Sequence, residues 1–168
     1  SAMHAFELAE RLGNDTLRAR AARDLGNAFL RGNDPGSALD HWNRAYALAE
    51  RIQHRKLMSQ VSSDRGWTHR LLGDYQGALR FLRQALAHDA SKTTNARARS
   101  IMSTCSLRLG MPDSALYFAQ EAAVDKDPRT RPYEYAYQQD DLAMAYVANG
   151  QPDLAETYFK RALATIDS

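Results

Sequence analysis

Leu142-Ala143-Met144-Ala145-Tyr146, followed by Asn149-Gly150-Gln151-Pro152-Asp153-Leu154-Ala155, is the last of four writings of one pattern. The others are Leu25-Gly26-Asn27-Ala28-Phe29 with Asn33-Asp34-Pro35-Gly36-Ser37-Ala38; Gly66 with Leu72-Gly73-Asp74-Tyr75-Gln76-Gly77-Ala78; and Leu109-Gly110-Met111-Pro112-Asp113-Ser114-Ala115. Four residues after the repeat alanines Ala38, Ala78, Ala115 and Ala155 stand Trp42, Leu82, Ala119 and Phe159, and seven after them stand Ala45, Ala85, Ala122 and Ala162. A spacing of i, i+4, i+7 is one face of a helix. Twelve residues before each alanine stand Gly26, Gly66, Ser103 and Ala143, small again, where a preceding antiparallel helix would cross. Small residues on both partners let the two backbones approach closely, so each repeat reads as a helix-turn-helix.

The turns carry their own chemistry. Gly73-Asp74-Tyr75, Gly110-Met111-Pro112-Asp113 and Gly150-Gln151-Pro152-Asp153 each set a helix stop beside a helix start. Glycine takes the left-handed conformation that ends a helix, and proline fits the first turn of the next. Asp34, ahead of Pro35, is an N-cap candidate. The pattern predicts helices at about 3–13, 15–31, 35–53, 56–72, 75–88, 92–109, 112–125, 133–149 and 152–166, with a margin of about 2–4 residues at each end. Asp125-Lys126-Asp127-Pro128-Arg129-Thr130-Arg131-Pro132 reads as a loop, because prolines and alternating charges stop a helix.

The small-residue and aromatic pattern around Gly26, Phe29, Ala38, Trp42 and Ala45 resembles the tetratricopeptide repeat (TPR) signature, and it recurs along nearly the whole chain. The family repeat is about 34 residues. Here Ala38 to Ala78 is 40, Ala78 to Ala115 is 37 and Ala115 to Ala155 is 40, which resembles the extended class of about 40 residues. The resemblance implies an all-α, right-handed superhelical solenoid of antiparallel helix pairs. It would form one repeat domain over 1–168, with a leading helix at about 3–14 and repeats at about 15–55, 56–91, 92–131 and 132–168. Leu8-Ala9-Glu10-Arg11-Leu12 matches Leu48-Ala49-Glu50-Arg51-Ile52 at an offset of 40. The chain is therefore expected to open within the second helix of an earlier repeat and to be a segment of a longer protein.

In the family the first helices line a concave groove that takes a peptide or a helix. Carried onto this chain, the groove positions lie 18, 15, 11, 8 and 7 residues before each repeat alanine. They include Arg20, Arg23, Asn27 and Arg31, then Trp67 and Arg70, then Arg97 and Arg108, and last Tyr137, Asp140 and Met144. Six arginines would crowd the first three repeats, against an acidic and apolar fourth. The expected partner is a protein or peptide bearing Asp or Glu, paired with guanidinium groups and anchored on an exposed Trp67. The bland alternatives are an ordinary solvated arginine face and a Trp67 buried against its neighbour. Arg23, Asn27 and Arg97 match by type part of the clamp that some relatives use for chaperone C-termini, but Asp64 replaces an Asn and Ile101 a cation.

Composition narrows the function. Of 168 residues, 44% are hydrophobic and 25% charged, which fits a folded soluble domain. The formal charge of +2 is small for a dedicated nucleic-acid binder, and no apolar run is long enough to cross a membrane. One cysteine, Cys105, cannot close an internal disulfide, so a cytoplasmic setting is expected. His4, His41, His54, His69 and His88 lack metal-type spacing, and the glycines are spent on turns and close crossings. Cys105 and His69 read as packing residues. Glu134, Asp140 and Asp141 read as favourable charges in the first turns of a helix. No cofactor, metal or catalytic activity is expected. The expectation is a protein-interaction scaffold. The alternative is a regulatory or sensor segment of a signalling protein that contacts its own output domain, and exposed solenoid ends would leave room for self-association.

Overall fold

The computed structural model describes residues 2–89, 95–123, 129 and 131–166. The stretch 125–132, read above as a loop, lies largely outside them. Among the described residues there are nine helices and no strand: α1 (Ala2–Leu12), α2 (Asp15–Arg31), α3 (Pro35–Arg51), α4 (Arg55–Leu71), α5 (Tyr75–His88), α6 (Ala96–Arg108), α7 (Pro112–Ala122), α8 (Pro132–Ala148) and α9 (Pro152–Ile166). They fall into two compact units, Ser1–Ala90 and Ser91–Ser168.

In unit 1 the hairpins are α2 with α3 and α4 with α5, and α1 packs on α2 as α3 packs on α4. The core joins Ala19 and Ala22 of α2, Ala38, Trp42, Ala45 and Ala49 of α3, and Leu57, Met58 and Val61 of α4. Trp42 is wholly buried, and its indole N–H donates to the Arg23 carbonyl at 3.1 Å, so its one polar atom is satisfied. Gly26 makes that position possible, because a Cβ there would stand only 2.4 Å from Trp42 Nε1. A Cβ on Gly66 would likewise stand 2.6 Å from Leu82 Cγ.

The hairpin turns follow the chemistry read from the sequence. Gly73, Gly110 and Gly150 have φ of 78°, 68° and 69°, and Asn33 takes the same left-handed place in the first hairpin at 61°. Asp34 caps α3 by accepting from the Ser37 amide at 3.0 Å, with Pro35 beginning the helix. Asp74 caps α5 by accepting from the Gly77 amide at 2.8 Å, and its second oxygen lies 2.8 Å from His69 Nδ1. The Gly77 bond first and the His69 contact second hold the Asp74 carboxyl below the ordinary aspartate range. α3 stops at Arg51, two residues short of its expected end, because Gln53 turns left-handed with φ 52°.

In unit 2, α6 pairs with α7 and α8 with α9, while α8 also rests on α6 and α7. Ala115, Ala119, Leu142 and Ala145 form a buried cluster there, flanked by Leu107, Leu116, Tyr146 and Tyr158. The Ser103 hydroxyl donates to the Ala115 carbonyl across the α6–α7 crossing at 2.9 Å. An aromatic pair recurs nine residues before and three after a repeat alanine: Phe29 stacked on His41 at 5.1 Å, His69 against Phe81 at 4.8 Å, and Tyr146 stacked on Tyr158 at 5.3 Å. His69 is thus a packing residue, and Cys105 is buried.

Candidate partner-binding face

In unit 1, α2 carries Arg20, Arg23, Asn27 and Arg31 and packs on α4, which carries Gln60, Trp67 and Arg70. Their roles differ sharply. Arg20 and Arg31 are exposed, whereas Arg23 is half-buried and engaged. Its Nε donates to Asp64 Oδ2 at 2.6 Å and its Nη1 to Gln60 Oε1 at 3.3 Å. The acidic residue that stands where a carboxylate clamp would want Asn therefore neutralises the cation opposite it. Asn27 is half-buried on the same face.

Trp67 is half-buried rather than laid open, and the Arg70 guanidinium lies over its ring at 4.7 Å. The two side chains cover each other through a cation–π contact.

A depression of about 330 Å³ opens on this face, lined by Arg20, Arg23, Asp24, His54, Lys56, Leu57 and Gln60. Lys56 and His54 were missed by reading groove positions at fixed offsets. The signal was present, since Lys56 stands one helical turn before Gln60 on the same side of α4. His54 has a local duty, because its Nδ1 accepts from the Leu57 amide at 3.3 Å and so caps α4.

In unit 2, Arg97 and Arg108 are exposed on α6, eleven residues apart and so on one face. Between them the Thr104 hydroxyl donates back to the Ser100 carbonyl at 3.2 Å, while the Ser100 hydroxyl donates to Asp141. Asp140 and Asp141 are not first-turn charges: α8 begins at Pro132, which leaves Glu134 alone in the first turn and puts the two aspartates at mid-helix. Tyr137 is 72% exposed, and with Asp140 it borders an apolar hollow of about 500 Å³ completed by Tyr133, Ala136, Phe159, Ala162, Leu163 and Ile166. Ile101, where the clamp would want a cation, is buried.

Among the described residues no group of three or more His, Cys, Asp or Glu could hold a metal ion, and no helix is long and apolar enough to cross a membrane.

A tetratricopeptide-repeat family model matches residues 63–87 and 136–166, one segment in each unit. No curated protein matches the chain by sequence. Among solved structures it is similar to MamA, at 17% identity and a TM-score of 0.73, over 99% of this chain and 86% of that one. It is also similar to BtubC (BKLC) from P. vanneervenii, at 14% identity and a TM-score of 0.80, over 92% and 65% of the respective chains. A third likeness is to a kinesin light chain of Podosopora anserina with nearly identical TPR-like repeats, at 16% identity and 0.69, over 89% and 75%. Proteins of this repeat type generally act as protein-interaction scaffolds. Hairpins set on Ala38, Ala78, Ala115 and Ala155, together with a repeat model matched in both units and solved repeat proteins matched along the chain, make this an all-α protein of tetratricopeptide-repeat fold.

Proposed function

We propose that the chain is a protein-interaction scaffold whose first unit receives an acidic peptide on the face formed by α2 and α4. The observation that carries the reading is the convergence of Arg20, Arg23 and Lys56 on one depression, against a single lining carboxylate, Asp24. Arg20 and Lys56 are exposed and supply the charge for the peptide's Asp or Glu side chains. Arg23, held by Asp64 and Gln60, serves as a fixed wall, with Leu57 as an apolar floor.

From Lys56 to Trp67 along α4 is about 16 Å at the helical rise, the reach of roughly five extended residues. The Trp67–Arg70 pair then offers a platform for an apolar residue at the far end of the peptide. Asn27 and Arg31 of α2 flank the same path. In unit 2, Arg97 and Arg108 repeat the cationic theme on α6, and Tyr137 and Asp140 border a separate apolar hollow.

The test is fluorescence anisotropy with a labelled hexapeptide of alternating Glu and Leu, titrated with the chain and with an Arg20→Glu, Lys56→Glu variant. Circular dichroism serves as a check on folding. The reading expects at least a tenfold loss of affinity in the variant, and weaker binding as salt is raised. Equal affinity in the two proteins, or no binding by either, overturns it. Arg23→Glu is a poor probe because it would set two carboxylates together at Asp64.

A further inference from the structure

Thirteen residues before the four repeat alanines stand Leu25, Arg65, Met102 and Leu142. Three of these are core residues, exposed by only 3%, 1% and 4%. At the same place in the second repeat Arg65 is half-buried. The helices around it, α3, α4 and α5, all belong to unit 1, and α4 packs on both of the others. Where a sequence breaks a rule that it keeps elsewhere, a functional site is the first explanation to test.

The surroundings suit a cation but do not neutralise it. The Arg65 guanidinium lies over the Phe81 ring at 4.0 Å and the Tyr46 ring at 5.5 Å, and the exposed Arg80 lies over the same Phe81 at 4.9 Å. Ring faces favour the charge yet leave the N–H groups unpaired. Arg65 Nε is shut off from solvent without a hydrogen-bond partner, while its Nη groups bond no described residue and stay open to solvent. Neighbouring polar groups are spent on one another: Ser62 Oγ donates to Gln84 Oε1 at 3.3 Å, Gln84 Nε2 donates to the Tyr46 hydroxyl at 2.8 Å, and that hydroxyl lies 2.8 Å from His88 Nε2. Of the carboxylates within electrostatic reach, Glu50 acts on Tyr46, and Asp74 is held by Gly77 and His69. Neither makes an ion pair with Arg65 or Arg80 among the described residues. Burial above all, opposed by Tyr46 and reinforced by Arg80, pushes the Arg65 pKa below the ordinary arginine range.

We propose that Arg65 is the centre of a carboxylate-binding site on unit 1, with its Nη edge as the fork that receives the ligand and Arg80 as a second cation beside it. A planar carboxylate matches a planar guanidinium in two parallel hydrogen bonds. One negative charge also fits better than two, because Glu50 and Asp74 already offset part of the local field. The flanking rings of Phe81 and Tyr46 hold the guanidinium in place, so less freedom is lost on binding. The ligand is either a small free carboxylate or a Glu or Asp side chain of another polypeptide.

Thermal unfolding followed by circular dichroism, at neutral pH and matched ionic strength, compares the chain in sodium chloride, sodium acetate, sodium phosphate and the sodium salt of N-acetylglutamate α-amide. Acetate stands for the free carboxylate, and the amide for an acidic side chain. The expected result is a saturable rise in melting temperature of at least about 3 °C over chloride in one or both carboxylates. The larger of the two rises identifies the source. Arg65→Leu should abolish the rise, Arg80→Gln should weaken it, and the Arg20→Glu, Lys56→Glu variant should keep it, which separates this site from the α2–α4 face. In chloride, Arg65→Leu is expected to melt higher than the unaltered chain, since leucine restores the residue type of the first and fourth repeats. A lower melting temperature there would make Arg65 a packing residue and overturn the site. So would a carboxylate rise that persists in Arg65→Leu, a rise lost in the Arg20→Glu, Lys56→Glu variant, a response to phosphate alone, or no response to any of the anions.

Discussion

The α2–α3 and α6–α7 hairpins obey one backbone rule with opposite side chains. In the first, the largest residue type available, Trp42, fills the crossing, and the facing position is emptied to Gly26. In the third, both sides are small, Ser103 against Ala119, and a hydroxyl bonds the facing carbonyl across the gap. The α4–α5 hairpin follows the first with Gly66 and Leu82, and α8–α9 combines Ala143 with a half-buried Phe159. The aromatic pair of the other hairpins is also missing in the third, where Ser106 stands opposite Phe118 and its buried hydroxyl has no hydrogen-bond partner among the described residues. A crossing distance can thus be set either by one large residue and a void made for it, or by two small ones and a polar stitch. The first solution buries more apolar area. The second depends on every hydroxyl finding a partner.

The largest expected effect tests the filled crossing. Trp42→Ala should lower the stability of unit 1 by about 3–5 kcal/mol, the usual range for emptying a buried aromatic site. Gly26→Ala should lower it by about 1–3 kcal/mol through overpacking, in spite of alanine's better helix propensity. In the double mutant the two losses should fall well short of additive, because each removes the reason for the other. Urea unfolding followed by circular dichroism measures all three. Additive losses would mean that the indole and the glycine are not partners in one constraint.

Much of this crossing was legible beforehand. The repeat alanines, Trp42 and Leu82 announced one helical face at four stations, and that periodicity is strong enough to survive any local error of boundary. The face proposed for binding was less legible. Helical offsets put Arg23 and Trp67 on the right side of their helices, but how far each is engaged depends on Asp64, 41 residues away, and on the guanidinium of Arg70. The offset between successive first helices was itself readable, yet it becomes meaningful only once the helices are known to lie side by side. Asp140 and Asp141 were misread for a simpler reason: a helix expected from residue 133 already puts them seven and eight residues in, two turns past its start.

A smaller effect sharpens the stitched crossing. Ser106→Ala removes a buried hydroxyl without a partner and should raise the stability of unit 2 by about 1 kcal/mol. Ser103→Ala, which removes a made bond, should lower it by a similar amount. Amide hydrogen exchange along α6 separates them, with slower exchange expected in the first variant and faster in the second. The same sign in both would show that the hydroxyls do not differ in how well they are satisfied.

The smallest effect concerns the turns. Asp74 is held below its ordinary range in the folded chain, so its ionised form favours folding. That contribution is whole above the ordinary aspartate range and is lost as pH falls through the lowered folded value. Asp74→Asn should therefore narrow the fall in melting temperature between neutral pH and pH 3. Identical profiles for the two proteins would remove the cap from the account.

The placement of two residue types gives the chain a pair of clocks. Both tryptophans, Trp42 and Trp67, lie in the first unit, and the one thiol, Cys105, is sealed inside the second. Indole emission after a jump into denaturant times the opening of the first. The rate at which a thiol reagent in excess reaches Cys105 times the opening of the second. One sample, without added dye or engineered label, can therefore show whether the two halves come apart in a single event or in sequence.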